Sequence, residues 1–126
     1  MLTNAESFSG LAVRDLDAAR RFYGETLGLE VSTLDEQHHL LDVKLGDGRS
    51  VLVYGKPDQQ PANFTVLNFR VGDIDEAVDG LTARGVEFER YDGMPQDDKG
   101  VMREGGPLIA WFRDPSGNIL AVLQER

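Results

Sequence analysis

The side chains with the widest chemical repertoire are scarce in this sequence. His38 and His39 are its only imidazoles, and they are consecutive. Neighbouring residues on a strand point to opposite faces, so the pair cannot close on one ion, and no third ligand stands near it in sequence. The two read instead as part of an exposed hairpin. Asp97-Asp98 could hold a cation only loosely and reads better as a solvated loop. There are no cysteines, which removes disulfides, thiolate metal sites and cysteine nucleophiles together. No nucleophile elbow, phosphate loop or zinc spacing occurs, and Gly46-Asp47-Gly48 is a turn signal rather than a phosphate cradle. What remains is aromatic and apolar. Trp111, the single tryptophan, lies in AWFRDPSGNILAV (110–122), a strand, a tight turn and a second strand. An indole and its apolar neighbours offer stacking surface to an organic molecule.

The bulk composition narrows the partners. The 126 residues carry 22 acidic against 13 basic side chains, a net charge of −9. Such a surface repels phosphate backbones and anionic membranes, so neither nucleic acid nor membrane is expected as a partner. No apolar run approaches the roughly 20 residues of a membrane span, and residues 1–12 lack the basic start and apolar stretch of a signal peptide. With no cysteine, a cytoplasmic location is favoured. The length is that of one domain, enough to bury a core without covalent staples.

The elements that must position these residues come in two copies. LAVRDLDAARRFYGETLGLEV (11–31) matches NFRVGDIDEAVDGLTARGVEFE (68–89): Val13, Asp15, Asp17 and Ala19 correspond to Val71, Asp73, Asp75 and Ala77 at an offset of 58. LLDVKLGDGRSVLVY (40–54) likewise parallels LIAWFRDPSGNILAV (108–122). In each copy a short apolar strand (8–13, 64–71) leads to an aspartate at a helix N-cap position, Asp15 or Asp73. Glu76 adds a capping-box-like start to the second. Leu16, Ala19, Tyr23 and Leu27 recur at helical spacing, as do Ile74, Ala77, Val78 and Leu81. Gly28 and Gly85 fit the C′ position that ends a helix. Three strands follow in each copy: 29–34, 39–45 and 50–55, then 86–91, 108–113 and 118–123. Asp47-Gly48 marks a hairpin, and Asp114-Pro115-Ser116-Gly117 suits a type I turn. The expected fold class is α+β, two βαβββ modules (about 5–57 and 62–126) within a single domain spanning 1–126, joined by the polar, proline-bearing segment 55–61. Residues 92–107 have no counterpart in the first module and read either as mobile surface or as a lid over a site.

A doubled βαβββ unit with V-x-D-[LI]-D helix starts and an F-x-D-P-x-G-N turn resembles the vicinal oxygen chelate superfamily of glyoxalase I, bleomycin-resistance proteins and extradiol dioxygenases. The resemblance covers nearly the whole chain. It implies a U-shaped mixed sheet around a cavity, helices outside, and a homodimer. In the superfamily's metal-dependent members, four inward His, Glu or Gln side chains, one on the first and one on the last strand of each module, hold a divalent ion. Carried over one at a time, those positions are Phe8, Leu52, Val66 and Ala121. None can coordinate a cation, and a shift of one residue brings in no donor set. The expectation is therefore a protein with no metal and no cofactor at this site.

Strand alternation places Gly10 and Ala12, Ser50 and Tyr54, Phe64 and Asn68, and Ile119 and Leu123 on the face of those four residues. Leu41, Val43 and Leu45 should pack under a helix, leaving Asp42 and Lys44 on the other face. The repeat, pairing Trp111 with Lys44, puts Trp111 there too. A cavity lined by Phe8, Asp42, Leu52, Tyr54, Val66, Asn68, Trp111 and Ala121, with Met94 and Met102 of the long loop closing over it, suits a small apolar or aromatic organic ligand fixed by a few polar groups. The leading expectation is a metal-independent, bleomycin-resistance-like binding protein, with antibiotic sequestration as one use. Two alternatives stay open. One is an enzyme, a lyase, isomerase or dioxygenase, with a relocated metal or with acid–base chemistry from Asp42, Tyr54 and Arg70. The other is an inert module whose apolar residues merely fill the groove or an interface between subunits.

Overall fold

A computed structural model describes all 126 residues. The chain divides into two units, Met1–Gln59 and Gln60–Arg126, each built on one small sheet. The first unit runs β1 (Ser9–Val13), α1 (Leu16–Arg21), a wider helical turn over Phe22–Thr26, β2 (Glu30–Asp35), β3 (Leu40–Lys44) and β4 (Ser50–Gly55). Its sheet has the order β1-β4-β3-β2, with β1 parallel to β4 and the other pairs antiparallel. The second unit runs β5 (Thr65–Arg70), α2 (Ile74–Ala83), β6 (Leu108–Arg113) and β7 (Ile119–Gln124), with sheet order β5-β7-β6. The mixed sheets and few helices match the α+β expectation. No helix is long and apolar enough to cross a membrane.

Local sequence explains the helix starts. Asp15 and Asp73 sit in extended backbone at the N-caps, and their carboxylates accept from the N–H groups of Ala18 and Glu76, each at 3.0 Å. This satisfies donors that a helix start leaves orphaned. Helix α2 ends as its sequence suggests: Gly85 takes a positive φ of 93°, its N–H donates to the Thr82 carbonyl, and the Val86 N–H donates to that of Leu81. This is a Schellman closure. The first helix departs from a plain α pattern. After Arg21 it widens into π-type bonding, with the Leu27 N–H donating to the Phe22 carbonyl. Tyr23, at the start of this wider turn, is fully buried on the same face as Ala19.

Burial follows the strand alternation. In the first unit Leu11, Val13, Leu41, Val43, Val51 and Val53 form a buried face together with Ala19 and Tyr23. In the second, α2 packs on β6 and β7. Ile74, Val78, Ala110, Phe112, Leu120 and Val122 are buried there, and Phe88 meets Phe112 edge to face at 5.6 Å. The turn between β6 and β7 is held by one buried carboxylate. Asp114 Oδ1 accepts from the N–H groups of Ser116 and Asn118, and Oδ2 accepts from the Asn118 amide at 2.9 Å. Gly117 takes φ 86° there, where a side chain would press on Pro61.

One expected strand is missing. Residues 86–91 make only an isolated bridge, Phe88 to Phe112. The Glu89 carbonyl and the Tyr91 N–H, which a strand ladder would use, are instead bonded to the side-chain amide of Gln96. Residues 92–107 are thereby built into a strap rather than a free loop. Val101 is fully buried, Asp97 Oδ1 caps the N–H groups of Lys99 and Val101, and Arg90 donates to the Asp97 and Asp98 carbonyls. Ion pairs from Lys99 to Asp75 and Asp79, and from Arg103 to Asp75, tie the strap to α2, while Arg103 also pairs with Asp97 within the strap. Asp97 is thus an anchor of the strap.

Candidate functional site

Each sheet has a second face, opposite its buried one, and the strand register sorts that face into rows. Residues paired across a ladder share a face. In the second unit Asn68 pairs with Ala121, and Ala121 with Trp111. Three of the proposed ligand-contacting residues therefore stand side by side. The next row is Arg70, Leu123 and Ile109, and Met102 extends it by exchanging both backbone bonds with Ile109 at 2.8 and 3.2 Å. Met102 is thus joined to the edge of the Trp111 sheet, while Met94 stays exposed. On the other side, Thr65 and Ile119 lead to Arg113. The Arg113 Nε donates to Glu89 at 2.5 Å and its Nη1 to the Gly117 carbonyl at 2.9 Å.

In the first unit the corresponding row is Gly10, Leu52, Asp42 and Ser32, and the next is Ala12, Tyr54 and Leu40. Gly10 leaves room for its neighbours: a β-carbon there would lie 3.9 Å from the Tyr54 ring. Asp42, Leu52 and Tyr54 therefore occupy one face of one sheet. The registers also correct the internal equivalence. Gly10 and Asn68 correspond through the helix caps, so Leu52 matches Ala121 and Asp42, rather than Lys44, matches Trp111. The hairpin turns are equal in length, 45–49 and 114–118, so one offset holds on both strands, and the sequence pairing of Trp111 with Lys44 was two residues out.

Two expected positions fall outside the rows. Phe8 precedes β1 and is 73% exposed. Val66 lies at a bulge, where the register passes from Thr65–Ile119 to Leu67–Leu120. The bulge inserts one residue, so Val66 has no place beside Ala121, and Asn68 takes that position. Arg70 does not present a free guanidinium, since it pairs with Glu125 at 3.0 Å. His38 Nδ1 lies 2.7 Å from Asp35, and His39 occupies the left-handed region at φ 60°; both are exposed in the hairpin.

The carried-over metal positions do not fit a divalent ion. Phe8, Leu52, Val66 and Ala121 supply no oxygen or nitrogen side-chain donor, and Ala121, 0% exposed, is a packed methyl. Within each unit no group of three or more His, Asp or Glu side chains is arranged to hold an ion.

One residue of this face escaped the sequence reading. Tyr91 stands edge-on to Trp111, ring centres 5.4 Å apart at 72°. Burial, followed by the nearby Glu89 charge, pushes its phenol above the ordinary value of 10.0, against the pull of Arg113. The phenol is thus a proton-bearing donor at neutral pH. The signal that could have found it is the spacing of Glu89 and Tyr91, alternate residues like Trp111 and Arg113.

Comparison with known proteins agrees with this architecture. Residues 7–122 match the family model described as Glyoxalase/Bleomycin resistance protein/Dioxygenase superfamily. An uncharacterized protein of Bacillus subtilis (strain 168), YraH, is 27% identical over 124 residues, covering 89% of this chain and 91% of YraH. Among solved structures, the antibiotic binding protein TnmS3 from Streptomyces sp. CB03234 superposes with a TM-score of 0.70 at 24% identity, covering 98% of this chain and 99% of TnmS3. The fosfomycin resistance protein FosX from Listeria monocytogenes gives 0.73 at 16% identity, with 98% and 92% covered.

Proposed function

This chain belongs to the Glyoxalase/Bleomycin resistance protein/Dioxygenase superfamily, and from that premise we propose that it is a metal-independent binding protein for a small apolar or aromatic organic molecule. The observation that carries the reading is the row Asn68–Ala121–Trp111. The position that corresponds to a metal ligand in metal-dependent relatives holds a buried methyl beside the chain's single indole. A methyl cannot ligate, and because it is fully buried the contact surface of the row is the indole beside it, with the Asn68 amide at one end supplying a donor and an acceptor. Leu52, with Gly10 and Asp42 in register, gives the first unit the matching row. The fold also houses the antibiotic binding protein TnmS3, which supports small-molecule sequestration as a use of this architecture. The exposed side chains of Phe8, Leu34 and Phe64 support a homodimer as the working form.

The test is a thermal-shift screen of untagged protein against planar aromatic natural products, followed by quenching of Trp111 emission. Saturable quenching that disappears in Trp111→Leu supports the proposal. A broad panel without a hit, or a stoichiometric divalent ion found by elemental analysis of the purified protein, overturns it. Light scattering on the same sample reads the oligomeric state.

A further inference from the structure

The strap over residues 92–107 is joined to the Trp111 face at two places, the backbone pair Met102–Ile109 and the side chain of Gln96. Gln96 Oε1 accepts from the Tyr91 N–H at 2.7 Å. Its Nε2 donates to the Glu89 carbonyl and to the Gly100 carbonyl, both at 2.8 Å. An amide offers two donors and an acceptor, and here the oxygen meets an N–H while the nitrogen meets two carbonyls. The flipped amide would satisfy none of the three. Gln96 is partly buried, and the backbone closes tightly around it. Gly100 takes φ 91°, and a β-carbon there would lie 3.1 Å from the Phe88 β-carbon and 3.9 Å from Gln96 Nε2. The Glu89 N–H donates to the Trp111 carbonyl at 2.8 Å, so the clamped segment also lies along β6. Its outcome is the edge-on placement of Tyr91 against Trp111.

We infer that Tyr91 is a second aromatic wall of the ligand face and that Gln96 is the positioning residue that holds it there. The inference rests on the binding function proposed above and names the ligand class more closely. Two rings at 72° form an L rather than a stack. A planar aromatic ligand lying on the indole meets the phenol at its rim, where the protonated hydroxyl can donate to a carbonyl or oxyanion substituent. The preferred ligand is thus a flat ring system with an oxygen acceptor on its edge. Gln96 touches no ligand. It acts by fixing the backbone from which Tyr91 projects, at a segment where ladder pairing is absent.

The probe is 1-anilinonaphthalene-8-sulfonate, a flat aromatic anion, followed by energy transfer from Trp111. Acrylamide quenching of Trp111 is measured without the probe. Gln96→Leu and Tyr91→Leu are each expected to weaken probe binding by about three- to ten-fold, the range of one lost aromatic contact, and to raise acrylamide access to Trp111. Gln96→Glu keeps the acceptor for the Tyr91 N–H and should fall between Gln96→Leu and the wild type. Because Gln96 acts through Tyr91, the double variant should bind within about two-fold of Tyr91→Leu alone. Wild-type behaviour of Gln96→Leu in both readouts, or losses that multiply in the double variant, overturn the inference. If Gln96→Leu fails to fold by circular dichroism, Tyr91→Leu and Gln96→Glu decide it alone. If the wild type shows no energy transfer to the probe, the binding function falls, while the acrylamide readout still tests the positioning role.

Discussion

Trp111 and Ala121 face each other in the β6–β7 ladder, so the bulkiest side chain on the second unit's open face stands beside a fully buried methyl. Asp42 and Leu52 hold the same relationship in the first unit. The two copies have therefore diverged at one pair of positions, keeping an apolar residue on the last strand and exchanging a carboxylate for an indole on its neighbour.

That relationship makes Ala121→Glu informative. A glutamate restores the residue type a metal site uses, but at a position with no exposure and no cation beside it. An unpaired buried charge is costly. We expect a loss of about 3–5 kcal/mol and a fall in Tm of about 10 °C or more, with no recovery on adding zinc or nickel. A Tm restored by either ion, read by differential scanning fluorimetry, would show that the remaining ligands are nearby after all.

The Asp114 turn is the next test, because a single carboxylate satisfies three donors in a buried setting. Asp114→Ala leaves two buried N–H groups and an amide without that acceptor and should cost about 2–3 kcal/mol. Asp114→Asn should cost less, since it keeps one oxygen for the two backbone donors. Urea unfolding of the three proteins ranks them, and equal midpoints would deny the turn its structural role.

How much of this was legible beforehand depends on the range of the interaction. Asp15, Asp73, Gly85 and the Asp114 turn act within a few residues of themselves, so their chemistry is written locally. The doubled pattern then fixed the order of elements. Register is set across strands, and there the sequence misled. The bulge at Val66 moved Asn68 beside Ala121, and the ladder registers, through hairpin turns of equal length, make Asp42 the counterpart of Trp111. The missing strand at 86–91 has the same origin. Its apolar alternation is real, but Gln96, distant from any strand pattern, takes the backbone groups that pairing needed.

The strap's attachment should depend on acid. The Arg103 hydrogen bond holds Asp75 below the usual 3.8, with further help from Lys99. Burial pushes Asp97 up, but the Arg103 bond and the Val101 and Lys99 N–H groups outweigh it and leave its value lowered. A carboxylate depressed in the folded state stabilises it above the unfolded value and loses that contribution as pH falls through the folded one. The wild-type strap should therefore loosen as pH falls below 3.8, modestly because these ion pairs are exposed, and Arg103→Leu should show a flatter acid profile. Pepsin cleavage within 92–107, followed as pH falls below that value, measures both. Cleavage that rises equally in the variant would place the acid sensitivity elsewhere.

Tyr91 should titrate late. Burial raises its phenol above 10.0, so the contribution of the neutral form to stability is complete below that value and declines as pH rises through the folded one. The ultraviolet difference titration between wild type and Tyr91→Phe isolates one phenol, and its midpoint should exceed 10.0. A midpoint at or below the ordinary value would mean that Tyr91 is solvated and stands away from Trp111.

His39 carries backbone strain that can be removed. It is the only non-glycine residue with positive φ, at 60°, a conformation costing about 1 kcal/mol or more for most L-residues. Its β-carbon also crowds Gly55: a methyl there would lie 3.1 Å from it, where the Gly55 N–H donates to the His39 carbonyl at 2.9 Å. His39→Gly should relieve the strain, offset in part by the greater freedom of glycine in the unfolded chain, for a net gain of up to about 1 kcal/mol. Gly55→Ala should destabilise instead, because the contact is with the histidine's β-carbon, which cannot swing away. Combining the two tests the contact itself. With His39→Gly in place the alanine at 55 has no β-carbon to meet, and its penalty should largely vanish in a thermal double-mutant cycle. A penalty that persists unchanged would place its cause outside the His39 contact, since the other neighbours, Leu16 among them, stand at ordinary van der Waals distance.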